Sequence, residues 1–95
     1  MRDAGDPFAA RFGRNLAAVR KEAGLSQERL AHMASLHRTA VGQLERGERI
    51  ARTDTLMKLS GALNVSPILL LEGLSWTPGT TIEGTMNLAE RHAGN

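Results

Sequence analysis

The chain predicts an all-α domain of five short helices, and three observations carry that expectation. Apolar residues recur at intervals of three and four from Phe8 onward. Start and stop residues punctuate the pattern at Gly24, Ser26, Gly47, Asn64 and Ser66-Pro67. Residues 25–47 read as two helices joined by a tight turn, and 95 residues suffice for one domain of this kind. The expected organisation is a disordered lead over 1–7, a helical domain over 8–74 and a tail over 75–95.

The first helix is placed by Phe8, Phe12, Leu16, Val19 and Ala23, which share one face, with Arg11, Arg14, Arg20 and Lys21 on the rest. Gly24 can take the left-handed conformation that ends it. Ser26 is a good N-cap for a second helix, with Glu28 in its first turn and Leu30, Ala31 and Met33 facing inward. Ala34-Ser35-Leu36 makes the turn. The third helix is expected from His37 to Arg46, burying Ala40, Val41 and Leu44, and Gly47 stops it. A loop follows over 48–52. The fourth helix runs from Asp54 to Leu63, capped by Thr53, with Leu56, Leu59 and Leu63 inward and Met57 and Ala62 helping. Ser66 and Pro67 start the fifth, over 68–72, which ends at Gly73. After Leu74 the stretch 76–81 is turn-like. Residues 81–88 alternate weakly, as one short strand would, and 89–95 read as frayed.

Composition narrows the function classes. The chain has no cysteine, which excludes disulfides, thiolate metal sites and cysteine nucleophiles. A reducing cytoplasm is the expected setting. His32, His37 and His92 have no metal-ligand spacing with other ligands, so neither a metal nor a cofactor is expected. No apolar run approaches the roughly 20 residues that span a bilayer, and the start lacks the apolar core of a secretory signal. Nucleophile–base arrangements, phosphate loops and supported carboxylate pairs are absent, which argues against an enzyme and a small-molecule substrate. The net charge is +2, but residues 1–52 carry ten Lys/Arg against six Asp/Glu, while 53–95 carry two against four. One basic face for a polyanion and ordinary solvated charge both fit that imbalance.

An ordered set of segments carries a family resemblance: Gly24-Leu25-Ser26-Gln27-Glu28-Arg29-Leu30-Ala31, then Leu36-His37-Arg38-Thr39, then Leu44-Glu45-Arg46-Gly47-Glu48-Arg49, then 56–65. Together they resemble the lambda-repressor-like helix-turn-helix family of Cro and Xre type, over about Phe8 to Leu74. Leu-His-Arg-Thr is similar in particular to controller proteins of restriction–modification systems. Two positions depart from the family pattern: Ser35 stands where Gly is common in the turn, and Ala51 where Pro often precedes the fourth helix. These bear on turn geometry rather than on contacts.

The resemblance implies that the third helix lies in the major groove of double-stranded DNA while the second crosses the phosphate backbone. Arg38, Thr39 and Gln43 then face the bases. Arg38 is suited to guanine O6 and N7, Gln43 to adenine, and Thr39 to a thymine methyl or a phosphate. His37 at the turn is a further candidate, and Gly42 leaves room for the duplex. Without the surrounding motif, these side chains read equally as a solvated helix face. Ser26 and Gln27, at the start of the second helix, are placed for a phosphate; Gln27 also suits a purely supporting role at the cap. Arg46, Arg49 and Arg52 are expected on phosphates or a neighbouring minor groove, adding affinity without sequence information. By resemblance Arg20 and Glu45 form a buried structural pair, with Arg20 also near phosphate.

Ile68, Leu69, Leu70, Leu71 and Leu74 are more apolar than one face of so short a helix requires. The expectation is a homodimer joined through Ile68, Leu70, Leu71, Leu74 and Trp76; the alternative is a tail, with Trp76, folded back over them. The functional expectation is a dimeric transcription regulator on a near-palindromic operator, a repressor or a controller. The competing reading is an antitoxin-type module whose tail binds a toxin protein while the domain autoregulates its operon.

Overall fold

Asp6 opens the first helix: its carboxylate accepts the amide of Ala9, and Pro7 takes the first helical position, where a missing N–H costs nothing. A computed structural model describes residues 6–79 and 84–88. It contains α1 (Pro7–Glu22), α2 (Gln27–Met33), α3 (Ala40–Glu45), α4 (Thr53–Leu63), α5 (Pro67–Leu70), β1 (Leu74–Pro78) and β2 (Gly84–Leu88). The expected lead therefore ends one residue earlier, and its first five residues lie outside the described ones, as do 80–83 and 89–95.

The first four helices share one ending. In each, a residue of positive φ turns the chain, its N–H returns to the carbonyl three residues back, and the next N–H returns to the carbonyl five back. The residues are Gly24 (φ 75°), Ser35 (φ 57°), Gly47 (φ 73°) and Asn64 (φ 59°). Their bonds are Gly24 N to Lys21 O and Leu25 N to Arg20 O, Ser35 N to His32 O and Leu36 N to Ala31 O, Gly47 N to Leu44 O and Glu48 N to Gln43 O, and Asn64 N to Gly61 O and Val65 N to Ser60 O. This is the Schellman arrangement, which satisfies carbonyls that a helix end otherwise strands. It explains why glycine suits the site that Ser35 occupies. A left-handed serine is strained by about 1–2 kcal/mol, partly offset by the greater unfolded-state freedom of glycine. Ser35→Gly is expected to stabilise by about 0.5 kcal/mol, a rise in Tm of about 2–4 °C, read by thermal melting. An unchanged or lower Tm would show that Ser35 is unstrained.

Phe12, Leu16, Leu30, Ala31, Ala34, Val41, Leu44, Leu59, Leu63 and Leu70 form the core, drawn from all five helices and the turn after α2. Three side chains expected inside are outside. Met33 and Met57 are exposed, because their helices turn them past the edge of the buried stripe. Ala23 is exposed too, as the C-cap beyond the end of α1. Thr53 is the first residue of α4 rather than its cap; Arg52 holds the cap position without a side-chain bond. Gly13 is where α1 crosses α3. A Cβ there would run into the carbonyl oxygens of Leu44 and Glu45, so only glycine permits this approach. Asn15, two residues on, faces α5 and donates from Nδ2 to the carbonyls of Leu70 and Glu72, each at 3.0 Å.

The tail differs most from expectation. Residues 74–78 form a strand rather than a turn, paired antiparallel with 84–88 in the register Leu74–Leu88, Trp76–Met86 and Pro78–Gly84. The Trp76 indole lies on the backbone of Gly84, where a Cβ would collide with it. Cross-strand pairing here joins residues six to fourteen apart, so it leaves little trace in local periodicity. β2 packs against α1.

Candidate nucleic-acid interface

α2 begins at Ser26, whose hydroxyl accepts the Arg29 amide at 3.0 Å. The left-handed turn at Ser35 then reverses the chain toward α3. The third helix is shorter than expected: it spans Ala40–Glu45, and residues 37–39 form a turn in front of it. A side-chain bond from His37 holds that turn, while the N-cap Thr39 makes no side-chain cap bond. His37 Nδ1 accepts the Thr39 amide at 3.2 Å and lies 2.9 Å from the Thr39 hydroxyl, while the Ala40 amide reaches the His37 carbonyl at 2.9 Å. An Nδ1 that accepts an amide proton carries none itself, so the Thr39 hydroxyl is the donor. Histidine, arginine and threonine are all exposed here. Arg38 has no ion-pair partner among the described residues.

Behind this exposed turn sits a buried polar lock. Arg20 of α1 reaches Glu45 of α3 through two parallel bonds, Nε to Oε2 at 2.6 Å and Nη2 to Oε1 at 3.1 Å. The side chains are 11% and 7% exposed. Arg20 Nη1 also donates to the Leu25 carbonyl at 2.8 Å, and Gln27 Nε2 donates to Glu45 Oε1 at 2.9 Å. The bond to Glu45 holds the Arg20 guanidinium more firmly protonated than usual, against the opposing effect of burial. Arg20 is thus committed to α3, and Gln27 spends one amide N–H on the same lock. The space over Gly42 is filled by Gln27 and Arg46 rather than left open for a duplex: a Cβ there would press on both side chains. Gly42 is buried for that reason.

The basic residues after α3 are not bare. Arg46, the C-cap, pairs with Glu48 at 2.6 Å on the exposed surface. That contact holds the Glu48 carboxyl below its usual range. Arg49 Nη1 donates to Gln43 Oε1 at 3.1 Å, and Arg52 lies 3.3 Å from Asp54. Glu48, Asn15 and Gly13 were not among the residues expected to matter. Only the sequence neighbours of Glu48 offered a signal, a carboxylate two positions from one arginine and one from another.

The apolar residues assigned to an interface separate into two groups. Leu70 is fully buried in the protein's own core, and Leu71 turns toward Phe8, Phe12 and Leu56. Leu70 therefore cannot serve as a contact between subunits. Ile68 is 74% exposed, and Leu69 is partly exposed beside Val19, Leu63 and Val65. Leu74 is half-buried in β1, and Trp76 is exposed within the hairpin. No described helix is long and apolar enough to cross a membrane. No group of three potential metal ligands occurs among the described residues.

The helix-turn-helix family model matches residues 16–70, which hold α2, the turn and α3 and stop short of the hairpin. The chain is 40% identical over 62 residues to control protein C.BamHI of Bacillus amyloliquefaciens, covering 64% of this chain and 76% of that one. It is 46% identical over 57 residues to control protein C.SmaI of Serratia marcescens, covering 60% and 68%. The crystal structure of the restriction–modification controller C.AhdI from Aeromonas hydrophila superposes with a TM-score of 0.64 at 40% identity, covering 65% of this chain and 94% of that one. The P22 c2 repressor, solved with a synthetic operator, superposes with a TM-score of 0.60 at 35% identity, covering 65% and 94%. The chain belongs to the Cro/Xre-type helix-turn-helix family: it is a DNA-binding regulator related to restriction–modification controllers and phage repressors.

Proposed function

We propose that this chain acts as a two-fold homodimer on a near-palindromic operator, as a repressor or a restriction–modification-type controller. The observation that carries the reading is the exposed pair Arg38 and Thr39 in the turn before α3, with the half-buried Gln43 on the helix itself, which Arg20, Glu45 and Gln27 lock from behind. Preorganised polar groups of this kind suit base edges in the major groove. Arg38 pairs with guanine. Thr39 and His37 contact a base or phosphate beside it. Ser26, Gln27, Arg46 and Arg52 engage the backbone; Arg46 must share its charge between Glu48 and phosphate.

Dimerisation follows from the face of α5 that the core leaves uncovered. Ile68 and Leu69, beside the partly buried Val19 and Val65, form an apolar surface that a second copy would cover. Two domains so joined set their recognition helices about 34 Å apart, one turn of the duplex. Ile68→Glu is expected to yield a folded monomer by sedimentation, with operator affinity down about a hundredfold. A variant that still sediments as a dimer would move the interface elsewhere.

Selection from a random duplex library at near-physiological salt tests the whole reading. A two-fold motif with half-sites about one helical turn apart supports it. General, salt-sensitive binding without a motif would overturn it and favour an antitoxin-type role with a protein partner. Once the motif is known, Arg38→Ala is expected to cost about 1–3 kcal/mol and to relax preference at one base pair. A uniform loss across all sequences would remove Arg38 from base readout.

A further inference from the structure

We propose that Arg49 is a positioning residue for Gln43, setting which way the Gln43 amide faces a base. The proposal rests on the reading of α3 as the base-reading helix. Gly47, at φ 73°, folds the chain back over the end of α3, and the Glu48 amide bonds the carbonyl of Gln43 itself at 3.0 Å. The next residue, Arg49, is thereby carried alongside the Gln43 side chain, and its Nη1 donates to Oε1 at 3.1 Å.

The chemistry of the pair removes an ambiguity that a lone glutamine keeps. Its amide has an acceptor end and a donor end of almost equal size, and rotation by half a turn exchanges them. A guanidinium has donors only. The end next to Arg49 must therefore be the oxygen, and the Nε2 donors are fixed on the other side. Oε1 retains a second lone pair. Gln43 thus meets the groove with one defined pattern, an acceptor and a donor in known order, which matches adenine N6 and N7. A freely rotating amide could satisfy guanine instead by turning its donors to O6 and N7. Arg49 thereby acts on specificity through Gln43, rather than by adding charge against the backbone.

The two roles differ in what they move. A phosphate contact lowers affinity for every duplex and reduces the salt slope by about one when it is removed. A positioning role changes discrimination at one base pair. The experiment measures binding of the wild type, Arg49→Met, Gln43→Ala and the double variant to the selected operator and to its single-base substitutions, across a range of salt. The expected result is a roughly tenfold loss of discrimination in Arg49→Met at the base pair that Gln43→Ala also flattens. The double variant should lose no more there, and the base pair that depends on Arg38 should keep its preference. Arg49→Lys keeps the charge but not the planar fork, so it should keep the wild-type salt slope while losing part of the discrimination. Uniform weakening in Arg49→Met, with discrimination intact and a shallower salt slope, would overturn the proposal and leave base reading by α3 standing. Absence of any motif in the wild type would overturn both.

Discussion

Glu45→Ala is expected to destabilise the domain by about 3–5 kcal/mol, the largest effect of any polar substitution here. Removing the carboxylate leaves the Arg20 guanidinium nearly buried, with both of its bonds to α3 lost, and strips Gln27 of its acceptor. The cost comes mostly from the charge left behind. A double replacement, Arg20→Met with Glu45→Leu, should therefore recover most of the loss, because apolar side chains of similar volume need no partner. Urea denaturation of the three proteins reads this free energy directly, and thermal melting should show the single variant losing roughly 12 °C or more in Tm. A change below about 1 kcal/mol in Glu45→Ala would mean that the pair behaves like a solvated surface contact. The double variant asks a further question. If it folds well yet binds the operator poorly, the lock serves the placement of α3 more than stability.

Leu70→Ala is expected to cost about 2–5 kcal/mol, and Leu70→Glu to abolish folding. Leu70 is wholly buried, and its carbonyl accepts from Asn15, so the surrounding core has little freedom to close a cavity. Two residues earlier, Ile68→Ala should change intrinsic stability by no more than about 0.5 kcal/mol. Chemical denaturation of both, at a protein concentration low enough to dissociate the proposed dimer, separates core from surface. Equal losses would show that Ile68 is as covered as Leu70.

That contrast also shows where the sequence stops being legible. Helix ends could be read residue by residue, because Gly24, Ser26, Gly47, Asn64, Ser66 and Pro67 act through their own backbone chemistry. The faces of α1 and the core of α4 followed from periodicity over several turns. α5 has a single turn, too short for a period, so four consecutive apolar residues gave no way to tell the buried Leu70 from the exposed Ile68. The start of α3 was misplaced for a different reason: the His37 side chain holds 37–39 in a turn although their residue types tolerate a helix. Pairing decided the rest. The strand at 74–78 depends on a partner at 84–88, and the contact between Gly13 and α3 exists only once the chain has folded. The Arg20–Glu45 pair could be nominated from the motif, as could Arg38 and Gln43 as proposed base contacts. The bonds that tie Arg49 to Gln43 and Arg46 to Glu48 depend on a loop conformation that no spacing rule encodes.

Gly13 and Asn15 lie on opposite sides of one helix, the first touching the end of α3 and the second tethering the end of α5. α1 is consequently a common ruler between the proposed groove-facing element and the proposed subunit contact. In a two-fold pair, any shift of one end of that ruler appears twice at the duplex, once per half-site. Spacer length between half-sites would then be a measure of how stiff a single helix is.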